Sequence, residues 1–239
     1  MRSNSIDVIY CDESNITTED VLEFKKVHPS CLIIYQSETL RLWWNNLDAK
    51  WQKMLASQMN LPSDPSNEEL QQLVDLTELS IMNNLSLFDL NPLHIFVRLK
   101  KLTIKSTSIT DISPITSLTS ITKLNISGNP ISDIELIYKL TNLNELLLKN
   151  TTVDDLEPIS SLGKLTSLNI AGTRIRSLKY IDKLTNLEYL YINNTRIKNI
   201  KQLESLSKIR LLQCYNTSIK ASKINEFSDT HPHTEVIYY

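Results

Sequence analysis

The amino-acid sequence predicts an α/β solenoid: a stack of short coils with a parallel β-sheet along a concave side and helical segments capping the ends. Three observations carry that expectation. They are a 22-residue period, a strand-like apolar alternation inside each period, and a separate match between the two ends of the chain. The period starts at Leu99, Ile121, Leu143, Leu165, Leu187 and Ile209. From each start, apolar residues fall at positions four and six, a Thr or Asn at nine, and a Val or Ile at eleven. The stretches LTSLNIAGTRI (165–175) and LEYLYINNTRI (187–197) show it plainly. A unit of this size cannot bury its own hydrophobic face, so a fixed period in this range signals stacked units sharing one core.

Residues 1–35 form the first module. Shifted forward by 203, residues 6–35 align with 209–238 without a gap. Ile6 meets Ile209, Cys11 meets Cys214, Ile16 meets Ile219 and Phe24 meets Phe227. His28-Pro29 meets His231-Pro232, and Ile34-Tyr35 meets Ile237-Tyr238. Each copy is expected to be a final repeat strand, a short helix over the core and a closing strand. The C-terminal copy, with residues 221–239, then caps the open end of the stack. Two readings stand for the N-terminal copy. Either an upstream array has been removed, which predicts an exposed apolar face and a tendency to associate, or the module serves as an N-terminal cap.

Residues 36–75 have a different composition. Leu40, Trp43, Trp44, Leu47, Trp51, Met54 and Leu55 recur at three- and four-residue spacing, which predicts an amphipathic helix. The loop LPSDPSNEEL follows, with Ser66 as N-cap of a second helix carrying Leu70, Leu73 and Val74. A tryptophan stripe at this spacing packs against a core more often than it forms a partner groove, so the segment is expected to cap the array.

The array itself spans 76–220, about seven repeats. Within each coil, positions four and six (Leu102 and Ile104, Leu124 and Ile126, Leu146 and Leu148) have strand spacing and point inward. Positions 11, 14, 17 and 20 (Ile109, Ile112, Ile115, Leu118) close the coil from the far side. The ninth-position residues Thr107, Asn129, Thr151, Thr173, Thr195 and Thr217 are expected to form an inward polar ladder bonding the turns of neighbouring coils. Pro114, Pro130 and Pro158, with Asp111, Asp133 and Asp155, suit the convex bends.

These repeats resemble the leucine-rich repeat family in its short bacterial, internalin-like form, over about residues 76–239. An earlier copy starts at Leu76 (LTELSIMNN) and runs 23 residues, with one extra near Leu85. The stretch WWNNLDAKWQKML, its Pro-Ser loop and NEELQQLVDLTEL resemble segments preceding repeat arrays in Bacteroides-type leucine-rich repeat proteins. The resemblance implies a curved horseshoe that binds proteins.

Composition narrows the function classes. The chain has 239 residues, 41% hydrophobic, and a net charge of −2, which argues for neither nucleic acid nor an anionic membrane as partner. No apolar run approaches the ~18 residues of a membrane span. The start MRSNSIDVIY lacks a signal-peptide core, leaving the cytoplasm, or the surface or exterior after loss of a leader, as compartments. No catalytic, cofactor or metal site is expected. The three cysteines include no CxxC, and Cys11 and Cys214 fall at the inward sixth position. His231 and His233 flank a proline in a turn, Asp154-Asp155 is a turn pair, and three glycines leave no phosphate loop. Asn125, Asn150, Asn193 and Asn216 each open a glycosylation triplet beside the concave face, which speaks against passage through a eukaryotic secretory pathway.

The concave face remains. Strand alternation sends positions three, five and seven there, with position eight at the rim. Two zones emerge: a basic one of Lys101, Lys105, Lys123 and Lys149, with Leu147 beside it, and an aromatic one of Tyr189, Tyr191, Leu211 and Tyr215. The expectation is a non-enzymatic module, monomeric or weakly self-associating, that grips a protein or peptide. The tyrosines would anchor it and the lysines would favour its acidic segments. The alternative is a structural fragment of a longer cell-surface solenoid that contacts copies of itself through its N-terminal module.

Overall fold

The computed structural model describes residues 6–239; the first five residues of the MRSNSIDVIY start lie outside the described residues. The chain forms two compact units. The described part of the first runs to Thr77 and takes in Ile95–Arg98; the second comprises Glu78–His94 and Leu99–Tyr239.

In the first unit, β1 (Val8–Tyr10) and β2 (Leu32–Ile34) pair in parallel, joined by α1 (Thr18–Val27). A capping box starts α1: the Asp20 amide donates to the Thr17 hydroxyl at 3.1 Å, and the Thr17 amide to the Asp20 carboxylate at 2.9 Å. Val21, Cys31, Ile33 and Tyr35 form the core beneath it, with Phe24 partly covered.

The single helix expected across Leu40–Leu55 is two helices, α2 (Ser37–Asn46) and α3 (Ala49–Met59). Leu47 is extended, and Asp48 accepts from the Trp51 amide at 2.8 Å to cap the second. The apolar spacing runs across the break, but the sequence NNLD that ends α2 and leads into α3 is rich in residues whose side chains compete for backbone groups. Trp43, Trp44 and Trp51 are buried, and Trp43 meets Phe96 edge-on at 5.8 Å. They are packing residues. The last helix of the unit, α4 (Asn67–Val74), starts at Ser66 with Glu69 completing a capping box, and it buries Leu70, Leu73 and Val74. At its end Asp75 accepts from buried Lys25, from Arg98 at 3.1 Å and from the Gln71 amide at 3.3 Å.

The second unit is the solenoid. Its strands are β3 (Glu78–Met82), β4 (Lys101–Lys105), β5 (Lys123–Asn125), β6 (Glu145–Leu147), β7 (Ser167–Asn169), β8 (Tyr189–Tyr191), β9 (Leu211–Gln213) and β10 (Glu235–Ile237). They form one parallel sheet in chain order, with α5 (Ala221–Thr230) between the last two. Register follows the repeat: Leu102 lies beside Leu124, then Leu146, Leu168, Leu190 and Leu212. The inward positions four and six are at most 1% exposed from Leu102 to Cys214. On the convex side the coils are closed by 3-10 turns, such as Ser113–Ile115 and Glu157–Ile159. Asp111, Asp133 and Asp155 each accept the amide two residues on, at 2.7, 2.7 and 3.1 Å, which opens those turns.

The ninth-position ladder is mostly local, contrary to expectation. Thr151, Thr173, Thr195 and Thr217 each donate to the carbonyl three residues back in their own coil, at 2.7–2.8 Å. Thr107 is the exception among the ninth-position threonines, its hydroxyl donating to the Asn129 side-chain oxygen of the next coil at 2.6 Å. Asn129 also bonds between coils: its amide donates to Ile104 in the coil before at 2.7 Å, and its carbonyl accepts from the Thr107 amide at 2.8 Å. Position eight holds a feature that the apolar pattern does not announce. Asn83, Ser106, Gly128, Asn150, Gly172, Asn194 and Asn216 all have φ between 52° and 70°. This left-handed residue turns each chain out of its strand, and only Asn, Ser and Gly fill it here.

Candidate binding surface

On the sheet face away from the core, positions three and five alternate outward as the pleat requires. Glu78, Lys101 and Lys123 are exposed in column three; Glu145, Ser167, Tyr189 and Leu211 are half-buried. Column five is half-covered from Thr103 to Gln213. Two of its asparagines bond within their own coils, where Asn125 and Asn169 accept the amides of Ser127 and Ala171, at 3.1 and 3.0 Å.

Column seven departs from simple alternation. Met82, Lys105 and Lys149 project, and Tyr215 does so in part, whereas Ser127, Ala171 and Asn193 are buried. The left-handed residue that follows bends the chain inward, and a small seventh side chain is covered by that bend. Asn193 is 3% exposed, so this glycosylation triplet is closed in the folded chain.

The lysine zone is partly neutralised within the sheet. Lys101 pairs with Glu78 at 3.1 Å and Lys123 with Glu145 at 2.9 Å, both between neighbouring strands. Among the described residues Lys105 and Lys149 make no ion pair, and they keep their charge toward solvent. A shallow hollow of about 240 Å³ lies on this part of the sheet, lined by Lys101, Thr103, Lys123, Asn125, Glu145 and Leu147.

The aromatic zone lies at the other end. Tyr189 stands beside Leu211 and Tyr191 beside Gln213 in the β8–β9 register. Tyr215 continues β9 past its end, its carbonyl accepting from Asn194 at 3.1 Å. All four apolar side chains are half-exposed, and the core beneath is closed by Leu190, Ile192, Leu212 and Cys214 without them. Beside Met82 of column seven, 56% exposed, the first coil presents Leu85 and Phe88, which fall in none of the outward columns and are 74% and 70% exposed. Their signal is the extra residue of that 23-residue coil.

Among the described residues no group of three or more His, Cys, Asp or Glu side chains is placed to hold a metal. No described helix is long and apolar enough to cross a membrane. Burial pushes the Cys214 thiol up to about 11, so it stays protonated at neutral pH. His231 stacks on Phe227 at 4.2 Å, as His28 lies against Phe24 at 4.5 Å. These are packing contacts repeated in both modules.

The pattern that defines the family described as "Leucine Rich repeats (2 copies)" matches residues 97–139, 119–161 and 163–208. Among solved structures, an internalin (inlF) from Listeria monocytogenes superposes with a TM-score of 0.68 at 24% identity, over 80% of this chain and 55% of that one. An internalin C2 (inlC2) from the same species gives 0.67 at 26% identity, over 77% and 80%. A leucine-rich repeat protein of Leptospira interrogans gives 0.58 at 20% identity, over 71% and 50%. The chain thus spans about half the length of the first and third. No curated protein matches it by sequence.

Proposed function

We propose, from the premise that this chain is a leucine-rich repeat protein of the internalin-like bacterial kind, that its concave sheet is a non-enzymatic binding surface for a protein or peptide. The fold implies protein–protein interaction, and the location on this face is our inference. One observation carries it: Tyr189, Tyr191, Tyr215 and Leu211 cluster half-exposed on two neighbouring strands, and the core is already closed beneath them. Strands lie ~4.8 Å apart, so the rings form one patch. Tyrosine supplies rigid contact area with a polar tip at low entropic cost, the profile of an interface anchor. Lys105 and Lys149, the unpaired lysines, would add attraction for acidic segments; Lys101 and Lys123 contribute less because their glutamates already hold them. Leu147 adds an apolar side chain to the lining of the hollow in the lysine zone.

The test is a pull-down with the wild-type chain beside a Tyr189/Tyr191/Tyr215→Ala variant of matched melting temperature. A protein retained by wild type and lost by the variant supports the concave face, and a Lys105/Lys149→Glu variant then measures the electrostatic share. Equal retention by the tyrosine variant overturns the proposal. Tyr191→Ala alone is expected to shift the melting temperature by only a degree or two, the behaviour of a surface substitution.

A further inference from the structure

Residues 6–35 and 209–238 match in three dimensions as well as in sequence. An offset of 203 carries β1 onto β9, α1 onto α5 and β2 onto β10 with identical boundaries. The ladder register is the same in both, Ile9 beside Ile33 and Leu212 beside Val236. So is the closing bond: the Cys11 amide donates to Ile34 at 2.7 Å and the Cys214 amide to Ile237 at 2.7 Å. The chain therefore contains an internal control, one module seen in two settings.

What differs is the side that faces the preceding strand. In the C-terminal copy β8 pairs with β9, the Ile192 amide donating to Gln213 at 2.8 Å and the Asn194 amide to Tyr215 at 3.1 Å. Beneath that strand pair Ile209 is 3%, Leu212 0% and Cys214 1% exposed. In the N-terminal copy β1 has β2 as its one strand neighbour among the described residues. Ile6, the counterpart of Ile209, is 66% exposed, and Ile9 and Cys11 are half-open. Tyr10 and Asp12 stand where Gln213 and Tyr215 receive the neighbouring coil.

We infer that the side of β1 bearing Ile6, Ile9 and Cys11 is a docking face for one leucine-rich repeat coil, added in parallel with its fourth- and sixth-position aliphatics over these residues. The occupant follows from the other copy, where the same module face is closed by the coil 187–208. An unpaired strand edge backed by branched aliphatics is a template for strand addition. In the C-terminal copy Arg210 pairs with Glu188 of the preceding coil at 3.1 Å, and its counterpart here is Asp7, so the natural coil to add is 165–186, which carries Thr166 at that second position.

Cys11 is a built-in reporter, because its counterpart Cys214 shows how the position behaves when covered. The experiment joins residues 121–186, three coils ending in the natural junction, directly to Ile6 of the full chain. Iodoacetamide labelling of Cys11 is expected to slow about tenfold or more, toward the rate of Cys214, as the position moves from an open site to one released by local unfolding. The same fusion carrying Leu168→Asp and Ile170→Asp in the added coil should label like wild type. A folded fusion whose Cys11 labels at the wild-type rate overturns the inference. Should the three-coil fusion fail to fold, the single coil 165–186 joined to Ile6 gives the same readout. Light scattering on the unmodified chain supplies the second arm. A concentration-dependent mass abolished by Ile6→Asp would mean that a second copy covers the face, and would likewise overturn the coil as occupant.

Discussion

Position eight sets the geometry of each coil with one backbone angle. At Gly172, φ is +68° and an added Cβ would fall 2.2 Å from the Asn150 side-chain oxygen. Gly163 has nothing within 4 Å of that point. Gly172→Ala is therefore expected to cost about 1–3 kcal/mol from αL strain and the clash, while Gly163→Ala stays within about 1 kcal/mol of wild type. Urea melts of the two variants check this directly. The ninth position offers a second contrast. Asn129→Ala strips a partner from the Thr107 amide and the Ile104 carbonyl, both between coils, so a loss of about 2–4 kcal/mol is expected. Thr173→Ala removes one bond within a turn, worth about 1 kcal/mol. The Asn/Ser/Gly column at position eight is visible in the sequence once sought. Its left-handed conformation is not carried by the apolar period, which reports only the residues that fill the core.

At the scale of the element, the two terminal modules differ in how their helices begin. Thr17 and Asp20 cap α1 reciprocally, whereas their counterparts at α5 are Lys220 and Lys223, and Lys220 makes no capping bond. Transplanting the box as Lys220→Thr/Lys223→Asp is expected to stabilise the C-terminal cap by about 1 kcal/mol, read as a higher melting temperature. The cap of α1 also carries a pH signature. Hydrogen bonds from the Thr17 hydroxyl and amide hold the Asp20 carboxyl below the usual aspartate range. A lowered folded value means that this contribution is present above about pH 4 and is lost as pH falls through the folded value. Protection factors in α1, taken against the intrinsic exchange rate at each pH, should fall on acidification, and Asp20→Asn should flatten that response. The helix pair α2–α3 shows the limit of periodicity: Asp48 signals a new start, but seven apolar residues at helical spacing conceal it.

For the whole molecule, the array behaves as a one-dimensional stack in which each coil is stabilised by its neighbours. Cys214 in the last of these coils carries a thiol raised to about 11 by burial. A raised folded value holds the proton that the unfolded chain gives up, so stability from this site is intact below about pH 9 and is lost as pH rises toward 11. Urea midpoints should fall between pH 8 and 10.5, and Cys214→Ala should fall less over that interval. Cys11 should label well before Cys214 at neutral pH, as its half-open position dictates. The two units differ in what makes them legible. The solenoid repeats one physical rule seven times, so local pattern and global fold agree. The N-terminal unit is built from single-copy helices whose ends depend on individual side chains.

The sequence by itself determined the parallel solenoid, its register, the inward Leu and Ile columns, the duplicated terminal module and the outward third and fifth columns bearing Tyr189 and Tyr191. All of these follow from period and alternation, which survive any detail of packing. Only the tertiary structure decided which outward residues stay available. It paired Lys101 and Lys123 with glutamates one coil away, buried Ser127, Ala171 and Asn193 behind a left-handed turn, and opened Ile6 where Ile209 is closed. Each of those outcomes depends on how a side chain and the backbone around it sit in the stack, and period and alternation give a residue its column but not its ion-pair contact or the local bend that covers it.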